Sequence, residues 1–335
     1  MSSLASPRPL TLVSLACLAL TAAGPLTGCA SGGDSQKQAD EAALPPLREA
    51  RSGQQDPRAG CKAGEYAACR RLCADGDAEG CATVSGMHFS GKGATKDLSL
   101  AAHYAEKACK GGRQRSCVDY AGLCFSGQGV AKNVAKAVGL LQRSCSAGEG
   151  SACLNLGVLH QAGEGVPRDV RRAAQLYQQC CDKGLGRGCS ALGVLHHAGV
   201  APLRKDVGEA AVLYTKGCDR EDPLSCAYLA ALHTTGEGGV RKDLTRAVQL
   251  NTAACKAYSA RGCAQLGGMY LLGTGVERDV KKGLELTYLA CQLGDQRACE
   301  QLAALQKLAE ELKAKQQGGK EQGGREPAGS RKRGR

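Results

Sequence analysis

Twenty cysteines in 335 residues are the side chains most able to do chemistry here. Sixteen of them form eight Cys-x7-Cys pairs: 61/69, 73/81, 109/117, 145/153, 181/189, 218/226, 255/263 and 291/299. Thiols in this number support two chemistries, cross-linking or metal coordination. Zinc motifs favour two to four intervening residues rather than seven. Disulfides fit the spacing better, provided the chain reaches an oxidising compartment.

The six histidines are the next candidates. Four of them, His88, His160, His196 and His233, recur at one place in a sequence repeat, where two further units carry Cys124 and Tyr270. Neighbouring helical layers lie on the order of 10–20 Å apart, whereas ligands of one ion sit within about 2–2.3 Å of it. One histidine per layer therefore builds no metal site, and these side chains read as packing residues. The adjacent His196 and His197 point different ways on a helix. No serine is followed by lysine three residues on, as penicillin-recognising serine enzymes require. No His-x-His-x-Asp signature occurs, and the Gly-x-Gly turns lack the Lys-Ser/Thr of a phosphate loop. No catalytic residue, metal or cofactor is assigned.

The elements that must position the cysteines follow from the repeat. Cysteines at 81, 117, 153, 189, 226, 263 and 299 step by 36 or 37 residues, and a second series runs eight residues ahead of them. One period runs from Cys153 to the residue before Cys189. Leu156, Gly157 and Leu159 mark the buried stripe of a first helix, which Gly163-x-Gly165 ends. Asp169 is placed to cap a second helix that turns Ala173, Ala174, Leu176 and Tyr177 inward and ends at Cys181. The cap position holds Asp97, Asn133, Asp169, Asp206, Asp243 and Asp279 in turn. Gly199-Val-Ala201 breaks the glycine pattern, with Pro202 and one inserted residue lengthening that turn. With no Trp and two Phe there is no bulky core, so helix pairs must stack to bury their apolar faces. The expected fold is an all-α, α/α superhelical solenoid stapled by disulfides.

The rest of the chain divides around that array. Residues 1–28 read as a secretory signal, with Arg8 before an apolar run at Leu10–Ala23 that is too short to span a membrane. Leu26-Thr27-Gly28-Cys29 resembles a bacterial lipobox, which makes Cys29 the lipidation site and the membrane a partner through that anchor. By the same resemblance, Ala30 after the cysteine implies the outer membrane, facing the periplasm, or the cell surface. Residues 29–60 are a polar, disordered tether and 61–80 an N-terminal half-repeat. Six repeats fill 81–298, residues 299–316 form a capping helix and 317–335 a basic, disordered tail. The tail supplies +4 of the net charge of +12, without the interleaved aromatics that nucleic acid binding uses, so no nucleic acid partner is expected.

The Leu-Gly-x-Leu-His and Gly-x-Gly-Val motifs, repeated across residues 61–316, resemble Sel-one-like repeats (SLR), relatives of tetratricopeptide repeats. The cysteine spacing is similar to that of the secreted, cysteine-rich Hcp family. Some Hcp proteins are described as β-lactamases or penicillin binders, so the resemblance carries a second reading, a hydrolase acting on β-lactams. No residue of this chain attaches to it.

For an exported chain the eight pairs are expected as Cys61–Cys69, Cys73–Cys81, Cys109–Cys117, Cys145–Cys153, Cys181–Cys189, Cys218–Cys226, Cys255–Cys263 and Cys291–Cys299. Each closes a loop worth about 2–2.5 kcal/mol on the chain-entropy argument. Cys124 and Cys180 lack repeat partners and are expected as buried thiols. The favoured function is a lipid-anchored scaffold that holds a protein, peptide or cell-wall component on its concave face. Two first-helix positions vary while the framework repeats. They nominate Asp119, Asn155, Gln161, Tyr228, Thr234 and Gln265 as groove residues.

Overall fold

A computed structural model describes residues 56–307. The signal segment, Cys29, the tether through residue 55, the capping helix beyond residue 307 and the basic tail lie outside the described residues. All regular structure within them is helical. Two compact units divide between Lys183 and Gly184.

The first unit holds α1 (Pro57–Lys62), α2 (Tyr66–Ala74), α3 (Ala78–Ser90), α4 (Leu98–Lys110), α5 (Gln114–Ser126), α6 (Val134–Ser146), α7 (Gly150–Ala162) and α8 (Val170–Asp182). The second holds α9 (Gly186–Ala198), α10 (Val207–Cys218), α11 (Pro223–Thr235), α12 (Leu244–Lys256), α13 (Ala260–Leu272) and α14 (Val280–Gln292). Residues 296–307 are helical as well. Helix begins at Pro57, earlier than the tether boundary at residue 60 implies. The Asp56 carboxylate accepts the Arg58 N–H at 2.9 Å, and proline is well suited to a first turn.

One local grammar builds every hairpin. First helices end on a left-handed glycine, from Gly199 at φ 63° to Gly236 at φ 84°. The chain then turns back, and Asp or Asn caps the second helix. Asp169 Oδ1 accepts the Arg172 N–H at 2.9 Å, and Asp243 Oδ1 accepts that of Arg246 at 2.8 Å. The cap residue's own N–H donates to the carbonyl of the recurring histidine position, Asp97 to His88 at 2.9 Å and Asp169 to His160 at 2.8 Å. The rings of His88 and His233 reinforce this clasp. Nδ1 of His88 pairs with the Thr95 carbonyl at 2.9 Å, and that of His233 with the Arg241 carbonyl at 3.1 Å.

Small residues let the two helices of a hairpin close. Tyr177 and Tyr214 are fully buried and pack against Gly157 and Gly193, where a Cβ would stand 2.5 and 2.6 Å from their rings. A glycine in the first helix thus matches a tyrosine in the second. The hairpins are then tied end to start. Cys61–Cys69, Cys73–Cys81, Cys109–Cys117, Cys145–Cys153, Cys218–Cys226, Cys255–Cys263 and Cys291–Cys299 are disulfides with Cα atoms 4.4–4.7 Å apart. Cys181 and Cys189 are each disulfide-bonded too. Cys124 and Cys180 are buried and stand outside the disulfides.

Within each unit first helices also meet one another: α5 packs on α7 in the first, and α9 on α11 and α11 on α13 in the second. No two successive second helices pack as closely. First helices therefore line the inner side of each unit.

Candidate functional site

The variable positions lie on first helices, with unequal access. Asp119 is exposed, whereas Gln161, Tyr228, Thr234 and Gln265 are half-buried. Asn155 corrects the groove assignment, because it is only 3% exposed and offers no free surface. The reason is its helix: α7 is buried without a break from Gly150 to Gly157. Gln161 spends its side-chain oxygen within the fold, accepting the Tyr177 hydroxyl at 2.8 Å. Thr234 likewise donates its hydroxyl to the Ala230 carbonyl at 2.9 Å.

In the second unit three helices assemble an aromatic and cationic cluster. Tyr214 of α10 stacks on Tyr228 of α11, with centroids 4.8 Å apart and planes 10° from parallel. Arg261 of α13 lies over the outer face of that pair, its guanidinium carbon 4.4 Å from the Tyr228 centroid. One turn along α13, Gln265 Oε1 is buried without a hydrogen-bond partner, as are His197 Nδ1 and the Tyr214 hydroxyl. Burial pushes the Tyr214 hydroxyl well above the usual phenol range, so it stays a neutral donor. A half-open ring beneath a guanidinium suits contact with a polar, planar group such as a peptide bond.

The first unit presents a charged counterpart. Asp119 lies 3.7 Å from Arg115 Nε on the same helix. Desolvation nevertheless raises its carboxyl above the ordinary value, outweighing Arg115 and Arg113, with Glu149 adding to the rise.

A second recess, about 360 Å³, opens between α4, α5 and α6. Lys136 Nζ donates to Glu106 Oε1 at 3.0 Å and to the Tyr120 hydroxyl at 2.7 Å, and stands 4.7 Å from the Tyr120 ring. Desolvation lifts the Tyr120 hydroxyl to about 12, against the pull of Lys136. Sequence reasoning passed over these residues. Glu106 and Lys136 belong to second helices, where an isolated charge reads as a solvated face.

Cys180 is no activated nucleophile. The Cys180 thiol donates to the Gly150 carbonyl at 3.2 Å and is fully buried. Burial lifts it to about 12, more than Lys183 offsets, the reverse of an activated thiolate.

Six consecutive segments match the Sel1 repeat: residues 78–112, 115–149, 150–185, 186–222, 223–258 and 260–295. Among solved structures the chain is similar to a Sel1 repeat protein from Oxalobacter formigenes, at 21% identity and TM-score 0.65, over 71% of this chain and 98% of that one. It is also similar to c5321, a protective antigen of uropathogenic Escherichia coli with an SLR fold. That match has 23% identity and TM-score 0.56, over 70% of this chain and 50% of that one. Cysteine rich protein B of Helicobacter pylori aligns at 26% identity with 41% of this chain and 98% of its own, at TM-score 0.32. No curated protein is significantly similar to the chain.

Proposed function

Because this chain belongs to the Sel1 repeat family, we propose that it is an extracytoplasmic scaffold that holds an extended peptide segment of a partner protein along its first helices. Sel1 repeats are interaction scaffolds, and they are generally not enzymes. The disulfides fit an oxidising compartment outside the cytoplasm. The observation that supports the reading is the Tyr214–Tyr228–Arg261 stack in the second unit, with Gln265 one turn along α13 from Arg261. Aromatic and arginine side chains dominate binding energy at interfaces. The Leu26-Thr27-Gly28-Cys29 sequence supports a lipid anchor on Cys29, which would hold the repeats near a membrane.

A phage-displayed peptide panel tests the binding reading. Selection on the oxidised protein is expected to enrich a common motif, and Tyr228→Ala with Arg261→Gln to lose that enrichment. Equal enrichment on both proteins would remove this face from consideration. Mass spectrometry of the protein from its own membrane tests the anchor, and an unacylated Cys29 thiol would end that part of the reading.

A further inference from the structure

We propose that the recess between α4, α5 and α6 binds a small oxyanion, the carboxylate or phosphate group of a low-molecular-weight solute, through Arg143, Lys136 and the Ser144 hydroxyl. The site is independent of whatever the first helices hold. Its volume, about 360 Å³, is in the range of small-molecule pockets, roughly 300–1,000 Å³.

Ser144 is the observation that separates this recess from an ordinary crevice. It lines the recess, is fully buried, and its hydroxyl has no hydrogen-bond partner. Buried hydroxyls are nearly always matched, so an orphan marks a place where a partner is missing. The same position in the next hairpin holds Cys180, whose thiol reaches the carbonyl of Gly150, the first residue of α7. Ser144 makes no such bond to Gln114, the corresponding first residue of α5, and Gln114 also lines the recess. Three other hairpins hold buried Ala108, Ala254 and Ala290 there, so packing alone does not call for a hydroxyl.

The charges agree in sign. Lys110, Lys136 and Arg143 line the recess against one carboxylate, Glu106. Glu106 engages Lys110 at 3.7 Å and Lys136 at 3.0 Å. Arg143 has no partner among the described residues, and its planar fork matches a carboxylate or phosphate edge. α5 adds a positive end, because Arg113 at its cap position supplies no side-chain acceptor for the first-turn N–H groups. Glu106 and Tyr120 hold Lys136 in place, which lowers the entropy lost on binding.

The full oxidised protein is titrated with sodium phosphate and separately with sodium acetate, against sodium chloride at constant ionic strength, and amide shifts are followed by NMR. Saturable shifts are expected at Gln114 and Ser144 with phosphate, acetate or both, and the responding anion identifies the source of the oxyanion. Arg143→Gln and Ser144→Ala should each weaken binding about tenfold or more. Ser144→Ala should also melt higher than wild type, because it removes an unmatched buried hydroxyl. A purely structural serine would not couple a gain in stability to a loss of binding. Shifts that fail to saturate, that chloride reproduces, or that survive both substitutions unchanged overturn the proposal.

Discussion

Replacing Cys145 and Cys153 together by alanine isolates the worth of one cross-link. The two cysteines are eight residues apart, and closing a loop of that size is worth about 2.5 kcal/mol at 25 °C on the chain-entropy argument. Cys109 and Cys117 share the separation of eight, so the same figure applies to Cys109→Ala with Cys117→Ala. Each bridge spans a turn with matching hydrogen bonds. The N–H of Gly148 donates to Cys145 at 3.0 Å and that of Glu149 to Ser144 at 2.9 Å, while Gly112 donates to Cys109 at 3.0 Å and Arg113 to Ala108 at 3.1 Å. Native-state hydrogen exchange at these four amides reads the effect. At 1.36 kcal/mol per decade, about 2.5 kcal/mol becomes an acceleration of about 70-fold at the turn whose bridge is lost. Lost sulfur packing adds to both variants, so about 70-fold is a floor. Acceleration below about tenfold in either variant, or a difference beyond about tenfold between them, would refute an origin in loop length.

Other substitutions probe strain, charge and burial. Tyr258 and Glu221 adopt φ 60° and 59° where other hairpins place glycine, and Tyr258 is 73% exposed. Tyr258→Gly and Glu221→Gly should each stabilise by about 0.5–1 kcal/mol in urea melts, the left-handed cost less the entropy of glycine, while Tyr258→Ala gains nothing. Desolvation raises the Asp119 carboxyl above 3.8, so the folded state holds its proton more tightly than the unfolded one, and stability falls as pH rises through that window. Asp119→Asn should therefore melt higher than wild type near pH 7 and lose the advantage near pH 2.5; an advantage that grows in acid would reverse the sign. The Cys180 thiol, lifted to about 12 by burial, should resist iodoacetamide at pH 8 in the oxidised protein, as mass spectrometry would read directly. Labelling at the rate of an unfolded control would show that the position opens.

The framework was legible because each part of a hairpin has its own residue chemistry. Left-handed glycines such as Gly163 and caps such as Asp169 announced where helices stop and start, and Leu156, Gly157 and Tyr177 announced the buried stripe. Access was harder to read. Asn155 and Asp119 share a repeat position, yet one is enclosed and the other exposed, because α7 is enclosed along its first two turns and α5 less so. The Lys136–Glu106–Tyr120 group escaped notice because it joins three helices across a gap of 30 residues, a distance no local period reports. Tyr258 and Glu221 were missed for a simpler reason. A residue forced into a glycine's conformation leaves no trace beyond the missing glycine.

The bridges between hairpins bear on how the chain matures. Every described bridge joins cysteines eight positions apart, so each thiol meets its mate within a short stretch of chain. Short loops close with little entropic cost relative to long ones, so neighbours outcompete distant thiols. Local closure leaves few opportunities for scrambling. Adding or deleting one 36-residue segment would leave all the remaining partnerships intact, which gives such a chain an easy route to change its length.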